Sequence, residues 1–235
     1  AQAPAVPSPG PAPAKPPTLA APAVGFVYSN ENRNGVRDPD EPGISGVAVS
    51  NGLDVVLTDE NGHYRLTVSA DTILFAIKPR DWVPPTPVNQ LPRYFYVHKP
   101  SGSTDDLQFP GIEPTGPLPA TVDFPFSPQR EPDRFQMILF GDPQPYTLEE
   151  VDYVTRDVIE EVIGTDAAFG MTLGDIVGND LSLFAPLNRA IARIGIPWYN
   201  VLGNHDIDSA ASSDSESDDA FQRVFGPATY AFQVG

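Results

Sequence analysis

Two rhythms of hydrophobic and polar residues divide the chain. Over residues 24–126, short apolar runs alternate with turn signals: VGFVYS, GVAVSN, DVVLTD, HYRLTV, TILFAIK and RYFYVHK. No stretch there sustains a 3.6-residue period, and Asn51-Gly52 and Asn61-Gly62 are tight-turn dipeptides. This pattern predicts a small antiparallel β-sandwich, with the Pro-rich stretch DWVPPTPVNQLP as a long loop or an edge. After PFSPQREPD the rhythm changes. RFQMILFGD, AAFGMTLGD and IPWYNVLGNHD read as buried strands. Between them, TLEEVDYVTRDVIEEVIG places Leu148, Val151, Val158, Ile159 and Val162 mostly on one helical face, and PLNRAIARIG forms a second helix with Pro186 in its first turn. Thr147 with Glu150 makes a capping box, and Gly164 is a C-terminal stop. Strands alternating with helices imply a parallel sheet with crossover connections. The expected fold is therefore mixed, with a boundary near residues 127–134.

Composition refines this division. Residues 1–23 are rich in Pro and Ala and offer almost nothing to bury, so they read as a disordered or polyproline tether. The 235 residues carry 31 acidic and 14 basic side chains, a net charge of −17, which argues against a nucleic-acid partner because phosphates would be repelled. With no cysteine, disulfides and thiolate metal sites are excluded. No apolar run approaches the ~20 residues of a membrane span. The start AQAPAVPSPG is compatible with cleavage after a small residue, and the protein is expected to be exported to the periplasm, the cell surface or the medium.

All three strands of the second unit finish in polar clusters introduced by Gly: GDPQ at residues 141–144, GDIVGND at 174–180 and GNHD at 203–206. In open parallel sheets, functional groups gather beyond the carboxyl ends of the strands. Gly allows a sharp turn, and the carboxylate after it points into a shared crevice. Carboxylates, amide oxygens and an imidazole suit hard or borderline cations, and two such cations ~3.5–4 Å apart clamp a phosphoryl group. GDPQ, GDIVGND and GNHD, in this order and on this scaffold, resemble the calcineurin-like metallophosphoesterases over residues 135–235. The resemblance implies the first half of an α/β metallophosphoesterase sandwich behind the β-sandwich, and two divalent transition metals (Mn, Fe or Zn). It also implies a small-molecule phosphoester as substrate. By motif, Asp142 matches a ligand of the first metal, Asp175 the bridging ligand and Asn204 a ligand of the second. His205 matches the group that contacts the phosphate and protonates the leaving group, with Asp206 orienting it. Many relatives carry His where Gln144 stands, and an amide oxygen coordinates less basically. The variant is similar to a subgroup with an N-terminal β-domain.

The later histidine ligands of that family have no counterpart here, since His63 and His98 match no motif. The chain is thus expected to be an N-terminal fragment that does not itself turn over phosphoesters, and FGPATYAFQVG reads as a strand just beginning. A second cation site is suggested by NENRNGVRDPDE. Its oxygen-bearing residues follow calcium-loop spacing: Asn30, Asn32, Asn34, the Val36 carbonyl, Asp38 and Glu41, with Gly35 at the sixth position. The run resembles the calcium-binding B-type repeats of bacterial adhesins and transthyretin-like modules. Its plainer reading is an Asx-rich hairpin loop. The acidic run SSDSESDD reads as a solvated loop leading into a helix, and Trp198 and Tyr199 as core. The competing function is a calcium-stabilised surface binding module fused to an inactive phosphoesterase-like domain.

Overall fold

The structure, a computed structural model, describes residues 20–235. The expected tether lies outside the described residues up to position 19. Its last residues instead open β1 (Ala21–Ser29), where Ala21, Pro22 and Ala23 pair with Val68, Thr67 and Leu66. Then follow β2 (Ala48–Ser50), β3 (Val55–Leu57), β4 (His63–Val68), β5 (Thr72–Ala76), β6 (Trp82–Val83), β7 (Phe95–His98) and β8 (Phe124–Pro128). They form two four-stranded sheets, β4-β1-β8-β6 and β3-β2-β5-β7. Alternation is clearest in β4, where Tyr64, Leu66 and Val68 are buried and Arg65 and Thr67 exposed. Val27, Val49, Leu74 and Phe126 fill the space between the sheets. The pairings are antiparallel except one: β8 returns from a long loop to lie parallel to β1, Val27 opposite Phe124. The Pro-rich stretch contributes β6, an edge strand, as Pro residues require.

The second unit has β9 (Met137–Phe140), α1 (Leu148–Val154), β10 (Phe169–Thr172), α2 (Phe184–Ile191), β11 (Trp198–Asn200) and α3 (Asp219–Phe225). Its sheet runs β11-β10-β9, all parallel. Gly170 leaves the space that the Trp198 ring fills, since a Cβ there would lie 1.9 Å from it. Two expectations need correction. The helix after β9 is not continuous: α1 stops at Val154, loosens into a π-turn over Thr155–Ile159 and tightens to a 3-10 turn at Glu160–Val162. Val151 and Ile159 are buried as expected, but Leu148, at the first position of α1, and Val158, inside the π-turn that shifts the inward stripe, face solvent. Thr147 does cap α1 through Glu150 N–H, and Gly164 does stop the segment, at φ +81°. Nor is β9 buried on both faces: it is an edge strand of the sheet, and Met137 and Leu139 are about half exposed.

The two units share their cores. Phe169 and Tyr199, from the sheet face opposite α2, pack into the front sandwich beside Tyr94. Residues 228–234 cover part of the same face, with Phe232 stacked on Tyr199 at 4.2 Å. Gln233 N–H donates to the Lys78 carbonyl. The acidic run is not simply solvated. Glu216 and Asp219 are buried against the loop that follows β7: Thr104 donates to Glu216, while Ser103 and Lys99 bond Asp219.

Candidate active site

Because β9, β10 and β11 are parallel, their carboxyl ends share one edge, and the three motifs emerge there side by side. Gln144 N–H donates to the Asp175 carbonyl at 3.1 Å, joining the first motif to the second. Asp175 Oδ1 accepts the His205 backbone N–H at 3.1 Å, joining the second to the third. Asp142, Gln144 and Asp175 all adopt left-handed backbone, at φ +45°, +42° and +44°. For a residue with a Cβ that conformation costs ~1–2 kcal/mol. Its concentration in polar residues at one strand-end crevice is the kind of strain that collects at functional sites. The glycines differ in purpose. Gly174 turns at φ +94°, and Gly203 lets the third motif approach, since its Cβ would sit 2.1 Å from Asp175 N and Oδ1. Gly141 has an ordinary φ and open space around it.

Asp142 and Asn204 are exposed, while Gln144, Asp175 and His205 are half-buried at the crevice. Asp206 departs from its expected role. It is fully buried, with Oδ1 accepting Val177 N–H at 3.1 Å and Oδ2 accepting Gly203 N–H at 2.9 Å. Burial raises its pKa, against the lowering effect of those backbone donors. Asp206 therefore ties the second and third motifs together and does not orient the His205 ring. The ring is met by a residue the sequence reading passed over: Asn179 Oδ1 lies 2.9 Å from His205 Nδ1. Tyr146 was also missed. Its ring stands edge-on to His205 at 6.4 Å and fills the space a Gly178 side chain would need, and its hydroxyl accepts from Gln144 Nε2. The only sequence signals for this pair were the second motif's trailing Asn and an aromatic two residues past Gln144.

Asp142, Asp175 and the amide oxygens of Gln144 and Asn204 are hard donors that suit a divalent cation in kind. Gln144 spends its amide nitrogen on Tyr146, which leaves its carbonyl oxygen as the coordinating end. In number the set is short: among the described residues no group of three or more His, Asp or Glu side chains gathers as a metal site.

Residues 31–113 match the family described as the N terminal of Calcineurin-like phosphoesterase. This stretch of the chain is similar to the N-terminal domain of calcineurin-like phosphoesterases. The matched residues lie within the front sandwich, and the strand-end motifs follow them. Colossin-A of Dictyostelium discoideum is 39% identical over 69 residues, which are 28% of this chain and 1% of that protein. Serine-aspartate repeat-containing protein D of Staphylococcus aureus is 48% identical over 48 residues, 18% of this chain and 4% of that protein. Purple acid phosphatase PPD1 from yellow lupin seeds aligns at a TM-score of 0.31 and 10% identity, over 92% of this chain and 41% of that one. A likeness that shallow carries no weight. The chain spans only a small part of the curated relatives it matches.

The Asn-rich loop lies between β1 and β2. Asp38 Oδ2 accepts from the side-chain amides of Asn32 at 2.7 Å and Asn34 at 3.1 Å. Asn30, buried, accepts from Gly35 N–H. Glu41, also buried, accepts Glu31 N–H and Asp38 N–H on its two oxygens. Val36 is held through its N–H by Asn34. His63 packs edge-on to Phe26, and His98 is buried in the sandwich with its Nδ1 unpartnered.

Proposed function

We propose that the natural protein containing this chain is a metal-dependent phosphoester hydrolase with a binuclear centre, and that its substrate is a small-molecule phosphoester. The observation that carries the reading is the convergence of three strand-end motifs through the Gln144–Asp175 and Asp175–His205 contacts, with left-handed backbone at Asp142, Gln144 and Asp175. Asp142 and Gln144 would hold the first cation, Asn204 the second, and Asp175 both. Divalent Mn, Fe or Zn, when bound, stabilises phosphoryl charge and lowers the pKa of water. Asp175 spends Oδ1 on the His205 N–H, which fixes the plane of its carboxylate, and Oδ2 is the oxygen this reading gives to a cation. His205 contacts the phosphoryl group and protonates the leaving group. Two carboxylates and two neutral amides hold a metal pair weakly, so turnover is expected from the whole protein and not from this chain. The test is hydrolysis of a chromogenic phosphomonoester and diester with added Mn²⁺ or Zn²⁺, by the chain and by the whole protein. Asp175→Ala should abolish the whole protein's activity. Metal-dependent turnover that survives this substitution overturns the reading. An inactive whole protein shifts it to a calcium-stabilised surface binding module on an inactive phosphoesterase-like domain.

A calcium ion in the loop at residues 30–41 is a second reading, favoured by the gathering of Asn32 and Asn34 on Asp38. A ligand bound only by the native state stabilises it by about 2.7 kcal/mol at a hundredfold excess over Kd. Calcium should therefore raise the melting temperature of the chain, and Asp38→Ala should remove the rise. An unchanged melting temperature leaves the loop a turn.

A further inference from the structure

A second concave site lies at the amino edge of the parallel sheet, opposite the strand-end motifs. A cavity of about 540 Å³ opens there, walled by Val83 and Thr86 of the front sandwich, by the connecting residues 129–136, and by Ala168 and Pro197, which precede β10 and β11. The four residues of β10 separate it from the motif crevice by roughly 13 Å. Its floor is apolar: Phe169 is buried, and Phe232 meets it edge-on at 5.2 Å. Tyr199 belongs to the same wall and is 6% exposed, yet its hydroxyl makes no hydrogen bond among the described residues. Burial, then Tyr230 and Glu131, raise its pKa, so it stays a donor. Buried polar groups are ordinarily paired, and an unused hydroxyl on a cavity wall marks a place for a partner from outside the chain. The mouth is charged. Lys78 and Glu131 neutralise each other across 2.6 Å. Arg130 and Arg134 are exposed at the rim, and among the described residues neither guanidinium has an ion pair or a hydrogen bond. Asp166, also on the rim, is the one carboxylate there without an ion pair among the described residues.

We propose that this cavity binds a small aromatic anion, its ring against Phe169 and Phe232 and its acid group on Arg130 and Arg134. The volume lies in the ~300–1,000 Å³ range of small-molecule sites, which collect where folded units meet. Aromatic walls favour an aromatic occupant through edge-to-face contact. A guanidinium offers a rigid fork of donors that matches a carboxylate, sulfonate or phosphate group. With 31 acidic and 14 basic side chains, the chain as a whole repels anions and attracts cations. Two uncommitted arginines on one cavity reverse that preference locally, so selection of an anion over its cationic analogue is diagnostic of this site. The site is remote from the motif crevice, and the proposal does not rest on the hydrolase reading.

The test is a titration of the full chain, followed by backbone amide ¹H–¹⁵N spectra, with three probes that share one ring system: 2-naphthalenesulfonate, neutral 2-naphthalenemethanol and cationic 2-naphthylmethylammonium. The sulfonate should shift the amides of Arg134, Phe135, Ala168 and Phe232 and leave those of Asp142, Asp175 and His205 in place. The neutral probe should bind the same amides more weakly, and the cation no more tightly than the neutral probe. Arg130→Gln with Arg134→Gln removes two exposed charges that hold no ion pair, so the melting temperature should be unchanged while the sulfonate binds about tenfold more weakly, the scale expected of two solvent-screened charge contacts. Added salt should weaken the wild-type complex in the same direction. No shift at the cavity with millimolar sulfonate overturns the proposal, as do shifts confined to the strand-end motifs. Equal affinity for the sulfonate and the neutral probe, or sulfonate affinity retained by the double variant, shows an apolar hollow without anion recognition and overturns it equally.

Discussion

Replacing Lys99 by Met is expected to destabilise the chain by about 3–4 kcal/mol, because the lysine joins the front sandwich to the segment that follows the third motif. Its Nζ lies 2.7 Å from Asp219 Oδ2 and 3.3 Å from Asp71 Oδ1. The Lys99 and Asp219 side chains are only 4% and 2% exposed. Burial lowers the lysine pKa, but the hydrogen bonds and charges of Asp219 and Asp71 together outweigh it, and the net shift is upward, so the ammonium persists. Removing it leaves the Asp219 carboxylate buried with the Ser103 hydroxyl, 2.7 Å away, in place of a countercharge. Breaking a buried pair from one side typically costs ~3–5 kcal/mol, whereas replacing both partners by apolar groups is often neutral. The retained Ser103 bond argues for the lower part of that range. At roughly 2–4 °C per kcal/mol for a chain of this size, Lys99→Met should lower the melting temperature by roughly 6–16 °C. Lys99→Met combined with Asp219→Leu should recover most of the loss. Thermal and urea unfolding of the four forms completes a double-mutant cycle. A single-mutant loss under ~1 kcal/mol, or no recovery in the double mutant, would refute a desolvated junction.

Two further outcomes are expected. Gly170→Ala should cost roughly 1–3 kcal/mol by overpacking, since its Cβ would meet the Trp198 ring at 1.9 Å; in a Trp82→Phe background, where Trp198 is the sole tryptophan, its emission should shift, and unchanged emission and stability would contradict the packing of β10 on β11. His98 has its pKa lowered by burial, with Asp71 opposing, so the unfolded chain binds a proton that the folded chain refuses; stability should therefore fall as pH drops below ~6.5 toward the depressed folded value, and His98→Leu should flatten that slope in melting curves taken across this window.

Much was legible from local pattern. The runs that became β1 to β5 and β7 are marked by short apolar stretches between turn dipeptides, because a strand's period and its turn chemistry are written in neighbouring residues. β8 escaped that reading, because its only pairings are to residues far away in the chain, parallel to β1 and antiparallel to β6. The three polar motifs were legible for the same local reason: Gly followed by carboxylate or amide marks where a buried strand must end. Their convergence follows from the parallel sheet that the strand–helix alternation implies.

Tertiary structure decided the partners. Asp206 stands beside His205 in sequence, yet its side chain is drawn inward to unpaired N–H groups of Val177 and Gly203, while Asn179 reaches the ring from another motif. Sequence adjacency places two side chains on diverging bonds, and only the fold determines which distant group meets each one. The acidic run reads as solvated because charge ordinarily seeks water. Glu216 and Asp219 are buried because a loop from the front sandwich supplies Thr104, Ser103 and Lys99 across the junction. Whether a carboxylate stays in water or is buried depends on the countercharge and donors that the rest of the chain brings to it, which no local window contains.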